Sequence, residues 1–263
     1  MKANHAIGMF DSGIGGLTVL KEIMKLLPNE KVIYFGDTAR QFYGEKSAET
    51  ILRYSIENSI FLMEHSIKLL VIPCNTAASV SVEKLRIIFS IPVIGVIEPG
   101  AEKALSVTKT GCIAILATKG TIQSAAYQKY LKCLSPKVSL VPIACPLLAP
   151  LVEEGMYVHP ATRLILKEYL KPLENSPVDT ILLGCTHYPL LKALIQEEVG
   201  PEVCIVDSAA TCAEKIKETL NEKKMHSTCP GAAQYFVSDN PEKFKKLGEQ
   251  FLMQPLGKVV LKK

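Results

Sequence analysis

Two cysteines stand in near-matching surroundings. The runs Leu69-Leu70-Val71-Ile72-Pro73-Cys74-Asn75-Thr76-Ala77 and Thr180-Ile181-Leu182-Leu183-Gly184-Cys185-Thr186-His187 each lead through apolar, β-favouring residues into a Cys and a Thr, and a helix-periodic stretch follows. Each Cys is therefore expected where a strand hands over to a helix. The chemistry open to such thiols is proton transfer. A thiol has an ordinary pKa of about 8.5, and a helix N-terminus is one device that lowers it and frees the thiolate as a base. Cys74 and Cys185 lie 111 residues apart, and Asp11 and Thr118, each closing an earlier apolar run, lie 107 apart. A third pair, Val96-Ile97-Glu98 through Lys103 and Val206-Asp207-Ser208 through Lys215, has a similar displacement. Repeats this long describe duplicated α/β halves rather than a solenoid.

The elements that must position these groups alternate in type. Residues 6–10, 31–35, 69–73 and 93–97 read as short strands, with helical patterns such as 16–27 and 48–64 between them. The same grammar restarts at 111–118 and continues through 138–143, 180–183 and 203–207. A helical pattern at 211–222 and a late strand at 235–238 follow. The expected fold is α/β, with two similar doubly wound parallel-sheet domains related by a pseudo-two-fold. Ligands of such sheets bind outside the carboxyl ends of the strands. Two facing halves would then enclose a cleft with one cysteine on each wall.

Three further segments fall at strand ends. Asp11-Ser12-Gly13-Ile14-Gly15-Gly16 opens the first helix, where glycines let the backbone approach a ligand and free N–H groups suit a carboxylate. It lacks the Gly-x-Gly-x-x-Gly spacing of a dinucleotide site and the Gly-Lys-Ser/Thr of a P-loop, and alone it is a capped helix start. Gly36-Asp37-Thr38-Ala39-Arg40-Gln41-Phe42-Tyr43-Gly44 alone is a surface turn, and Thr118-Lys119-Gly120-Thr121 alone is a threonine cap.

Composition narrows the setting. At 263 residues, 48% hydrophobic and 21% charged, the chain suits one large globular domain or two smaller ones. A net charge of +4 is too mild to indicate nucleic acid or an anionic membrane. The longest uncharged apolar stretch, 87–97, contains Ser90 and Pro92 and falls short of the roughly 20 residues a bilayer requires. The first residues carry no signal-peptide pattern, so a cytoplasmic location is expected. Lys258, Lys262 and Lys263 read as a solvated tail. The eight cysteines are never closer than eight residues, which excludes Cys-x-x-Cys sites and leaves free thiols in a reducing compartment. Cys112, Cys133, Cys145, Cys204 and Cys212 read as small buried hydrophobes.

Taken together, Phe10-Asp11-Ser12-Gly13-Ile14-Gly15-Gly16, Cys74-Asn75-Thr76-Ala77, Ala117-Thr118-Lys119-Gly120-Thr121 and Gly184-Cys185-Thr186-His187-Tyr188-Pro189-Leu190 resemble, in order and spacing, the bacterial glutamate racemases of the cofactor-independent Asp/Glu racemase family. The resemblance runs from the first strand to beyond position 208. It implies interconversion of L- and D-glutamate without pyridoxal phosphate or metal, by two cysteines on opposite faces of the α-carbon, with the D-isomer supplied to peptidoglycan. By matching motifs, Cys74 would deprotonate D-glutamate and Cys185 L-glutamate, each acting as acid in the reverse direction. Asp11 would assist Cys74, while Glu153 and His187 would assist Cys185. Implied substrate contacts are Asp11, Ser12, Tyr43, Gly44, Asn75, Thr76, Thr118, Thr121, Thr186 and His187.

An α-proton is far less acidic than a thiol, so position and electrostatic stabilisation of the carbanion must do much of the work. None of these motifs supplies an arginine, and backbone N–H groups are expected to hold the carboxylates. Phe42 stands where the family usually has proline, and losing that fixed φ is expected to loosen the loop carrying Tyr43 and Gly44. The resemblance also implies one discontinuous domain, 1–97 plus 208–263, a second at 98–207, and a homodimer. An aspartate racemase of the same family, or a ligand-binding regulatory protein without turnover, remains an alternative reading.

Overall fold

The computed structural model describes residues 3–262. The chain opens with β1 (Ala6–Asp11), α1 (Leu17–Leu26), β2 (Lys31–Gly36), α2 (Ala48–Met63), β3 (Ile67–Ile72), α3 (Asn75–Ile88), β4 (Val93–Gly95) and α4 (Ile97–Val107). It continues with β5 (Cys112–Ala117), α5 (Lys119–Ser124), α6 (Ala126–Leu134), β6 (Ser139–Ala144), α7 (Leu148–Glu153), α8 (Pro160–Leu170), β7 (Thr180–Gly184), α9 (Lys192–Val199) and β8 (Cys204–Asp207). It closes with α10 (Ser208–Glu222), β9 (Ala232–Val237), α11 (Pro241–Leu252) and β10 (Val259–Leu261).

The strands form two all-parallel sheets, of order β10-β9-β2-β1-β3-β4 and β6-β5-β7-β8. The run β2-β1-β3-β4 has the same order as β6-β5-β7-β8, which is the duplication expected from the residue spacings. Every residue of β1, β3, β5 and β7 is buried, as parallel strands covered by helices on both faces must be. Cys74 follows β3 and Cys185 follows β7, so the two thiols leave equivalent strands of the two sheets. Helix α10 packs against both α1 and α4 and so ties the two halves together. Among the described residues no helix is long and apolar enough to cross a membrane.

Three expectations need correction. The C-terminal segment is not a solvated tail: Val259–Leu261 pairs with β9, and the Lys262 amine lies 4.7 Å from the Phe61 ring centre and 5.0 Å from that of Phe35. A cation over an aromatic face is attracted by the ring quadrupole, and this pair of rings was invisible to a local reading. Lys263 lies outside the described residues. Cys112, Cys145 and Cys212 are buried, but Cys133 and Cys204 are exposed. On α6 the core-facing residues are Tyr127 and Leu131, and Cys133, two positions on, turns to solvent. Cys204 opens the edge strand β8, where one side has no neighbour to cover it. Finally, Cys185 is not followed at once by an α-helix. A 3-10 turn, Tyr188–Leu191, intervenes before α9.

At the opposite ends of the strands, Lys68 of β3 is fully buried, with its amine 2.6 Å from Glu30 and donating to the Met225 carbonyl at 2.7 Å. Glu30 in turn accepts from the Ser227 N–H at 2.8 Å, so this ion pair fastens the link between α10 and β9 to the first sheet. Removing one member leaves the other charge buried and uncompensated. Lys68→Met is expected to lower the unfolding free energy by about 3–5 kcal/mol, and Lys68→Met with Glu30→Leu by much less. Urea denaturation of the two variants measures the difference, and equal losses would show that the pair is not acting as a unit.

Candidate active site

The first cysteine wall is built by β1, β3 and the loops that leave them. Cys74 occupies the N-cap of α3, where its Sγ accepts from the Ala77 N–H at 3.5 Å and its S–H donates to Ser12 Oγ at 3.5 Å. Burial, and then the negative charge of Asp11, push the Cys74 thiol up to about 12. The helix N-terminus and Ser12 both pull it down, but desolvation and a neighbouring anion outweigh them, so the net shift is upward, contrary to the expectation. Asp11 itself is completely buried at the end of β1. Its Oδ2 accepts from the Gly13 N–H at 3.0 Å, while Oδ1 has no partner among the described residues. Burial raises its pKa to about 6 against the opposing pull of His187.

The second wall carries a relay. His187 Nδ1 lies 3.7 Å from Cys185 Sγ, and its Nε2 lies 3.0 Å from Glu153 Oε1 at the end of α7. Burial pulls the imidazole pKa down, but the hydrogen bonds and charges of Cys185 and Glu153 prevail and raise it to about 10. At neutral pH the ring is therefore an imidazolium that can donate to sulfur. An imidazolium donating to sulfur is what a developing thiolate needs.

The walls meet through bare backbone. A methyl group built on Gly15 would come within 2.2 Å of Thr186 Oγ1 and 2.7 Å of the His187 ring, so only glycine lets the β1 loop lie against the Cys185 segment. Thr18 Oγ1 also donates to the Thr186 carbonyl at 3.1 Å. On the other side a methyl on Gly44 would stand 2.9 Å from Thr118 Cβ.

Between the walls lies a cavity of about 290 Å³. Ser12, Tyr43, Gly44, Cys74, Asn75, Thr76, Thr118, Cys185, Thr186 and His187, all expected from the sequence, border it. Asp11, Thr121 and Glu153 are buried behind the lining instead. Thr121 closes a triangle of hydroxyls with Thr76 at 3.2 Å and Thr118 at 3.0 Å, the latter two being 2.8 Å apart. Tyr43 turns its hydroxyl away from the cavity, donating to Asp37 and accepting from Asn58 Nδ2 at 3.1 Å. Burial, with Asp37 alongside, raises that phenol far above its usual range. Arg40 Nε bonds both Asp37 oxygens, at 2.8 and 2.9 Å, and its guanidinium lies 4.0 Å from the Tyr54 ring centre. The polar loop after β2 is thus a cross-braced platform. Phe42 itself stands at the cavity, a little over a third exposed.

Glu45, Lys119, Pro146, Leu147, Ala149 and Pro150 also border the cavity and were not singled out from the sequence. The last four follow β6, the counterpart of β2 in the repeat, and carrying the Tyr43-Gly44 loop across that repeat would have pointed to them. Lys119 pairs with Glu45 at 3.5 Å across the mouth. Among the described residues no arginine borders the cavity and no three His, Cys, Asp or Glu side chains converge as a metal-ligand set.

Comparison with known proteins gives this site a class. The family model described as Asp/Glu/Hydantoin racemase matches residues 37–216. A glutamate racemase of Geobacter metallireducens is 51% identical over 256 residues, covering 97% of this chain and 95% of that protein. Among solved structures, a glutamate racemase isoform of Bacillus anthracis aligns with a TM-score of 0.96 at 38% identity, covering 99% of this chain and 98% of the other. The glutamate racemase of Francisella tularensis in complex with D-glutamate aligns at 0.94 and 33%, with the same coverage. Two facing parallel-sheet units with a thiol on each wall are the architecture of an amino-acid racemase. The chain belongs to the Asp/Glu/Hydantoin racemase family.

The imidazolium of His187 carries a pH signature. Because its folded pKa is raised from 6.5 to about 10, the stability it contributes is complete below about pH 6.5 and is lost as pH rises through about 10. Carbon-13 NMR of labelled imidazole should show His187 titrating near pH 10, and Glu153→Gln should lower that midpoint. A midpoint near 6.5 in the unsubstituted protein would contradict the relay.

Proposed function

We propose that the protein interconverts L- and D-glutamate without a cofactor, by proton transfer between the substrate α-carbon and two thiols. The observation that carries this reading is that Cys74 and Cys185, from equivalent strand ends of two sheets, border one small cavity from opposite walls. The surroundings of the two thiols support opposite resting roles. Cys74, with its pKa near 12, is a protonated donor, while Cys185 has an imidazolium at hand to stabilise negative sulfur. That arrangement suits removal of the α-proton from L-glutamate by Cys185 and its replacement on the other face by Cys74. In the reverse direction Cys74 must become the base. By the family likeness Asp11, completely buried and with Oδ1 unpartnered among the described residues, assists Cys74 in that direction.

The carbanion-like state needs donors for its carboxylate, and the threonine hydroxyls and the loop N–H groups are the candidates. The family relatives named for glutamate, one of them with D-glutamate bound, support that amino acid over aspartate. D-glutamate so formed would feed peptidoglycan. By the same family likeness the chain is proposed to act in the cytoplasm as a homodimer. The division into 1–97 plus 208–263 and 98–207 is supported by the sheet memberships of β1–β4, β9 and β10 on one hand and β5–β8 on the other.

Incubating L-glutamate with the protein in deuterated water, with no added cofactor, should yield D-glutamate carrying deuterium at the α-carbon, while aspartate is turned over far more slowly. Cys74→Ser and Cys185→Ser should each lower racemisation by at least about a thousandfold. Activity that depends on added pyridoxal phosphate, or that survives loss of either thiol, would rule the mechanism out.

A further inference from the structure

One side chain outside the cavity touches a neighbour of each cysteine. Tyr127, on α6, is completely buried, and its hydroxyl donates to Asn75 Oδ1 at 2.7 Å. Asn75 directly follows Cys74 and borders the cavity, yet its Nδ2 is buried with no partner among the described residues. The Tyr127 ring meanwhile lies over Gly184, the residue before Cys185. A methyl built there would stand 3.2 Å from Tyr127 Cε2, and one on Gly100 would stand 3.5 Å from the hydroxyl. The ring is therefore held on two sides and has little room to shift.

A carboxamide can be turned either way round, and the two orientations do opposite things to an anion. With the oxygen toward the cavity it would repel a carboxylate, whereas with the NH₂ there it offers donors. A phenol that donates to Oδ1 selects the second orientation. Leaving a buried N–H unpaired is costly in the empty protein, and a bound carboxylate removes that cost.

We propose that Tyr127 is a positioning residue of this site: it locks the Asn75 carboxamide so that Nδ2 is offered to a substrate carboxylate, and it ties that donor to the strand end that carries Cys185. The proposal rests on the reading that glutamate occupies the cavity. Because the donor holds the carboxylate in ground and transition states alike, its loss acts on binding more than on turnover. Both directions of the reaction are affected equally.

The test is a double-mutant cycle on the full chain, with calorimetric titration of D- and L-glutamate into the unsubstituted protein, Tyr127→Phe, Asn75→Ala and the double variant, alongside steady-state kinetics in both directions. Tyr127→Phe and Asn75→Ala are each expected to weaken binding about tenfold. KM should rise by a similar factor while kcat stays within about twofold, and the double variant should bind no worse than Asn75→Ala alone. Binding unchanged by Tyr127→Phe overturns the proposal, and so does a loss that persists undiminished when Asn75 is already Ala. A purely structural tyrosine would lower the melting temperature and give additive losses, which is the same overturning result. Glutamate binding without any racemisation by the unsubstituted protein would end the two-thiol reading and leave this one standing, while no binding at all would end both.

Discussion

The site depends on two places where backbone lies against the opposite wall with no side chain between them. Gly15 lets the loop after β1 rest on Thr186 and His187, and Gly44 lets the loop after β2 rest on Thr118. A single methyl at either place would drive the walls apart by more than a flexible side chain could absorb, because the atoms it would meet are themselves held. Thr186 is tied to Thr18, and Thr118 belongs to a closed set of three hydroxyls. Close-packed interiors transmit such strain rather than dissipate it. The distance between the two sheets, and with it the width of the cavity, follows from these contacts.

Burial supplies the electrostatics. Cys74 and Asp11 are both pushed toward their neutral forms by loss of water; the charge of Asp11 raises the thiol further, while His187 restrains Asp11. His187 is also stripped of water, but its partners on both sides hold its proton in place. The two walls therefore differ in their resting charge although their folds repeat. A repeated scaffold thus carries two thiols in unlike surroundings.

Much of this was legible locally. The strand ends carrying Asp11, Cys74, Thr118 and Cys185 could be read because apolar runs and small polar turns are set by neighbours in sequence. Ser12, Asn75, Thr76, Thr186 and His187 came with them, being within two residues of those ends. What failed needed partners from afar. The fate of Val259–Leu261 depends on β9 offering an open edge and on the rings of Phe35 and Phe61 beneath Lys262. Cys133 and Cys204 looked like core residues by type, and only their face of a helix and edge of a sheet put them in solvent.

By itself the sequence determined the alternation of strands and helices, the duplication, and which residues stand at the ends of the strands, since those follow from periodicity and spacing along the chain. Tertiary structure alone decided which of the ends meet. It put Glu153 behind His187, turned the Tyr43 hydroxyl toward Asp37 rather than the cavity, and brought Tyr127 onto Asn75. It also raised the Cys74 thiol where a helix N-terminus promised the reverse. The physical reason is that desolvation and Coulomb forces act through space, between groups that lie tens of residues apart in the chain.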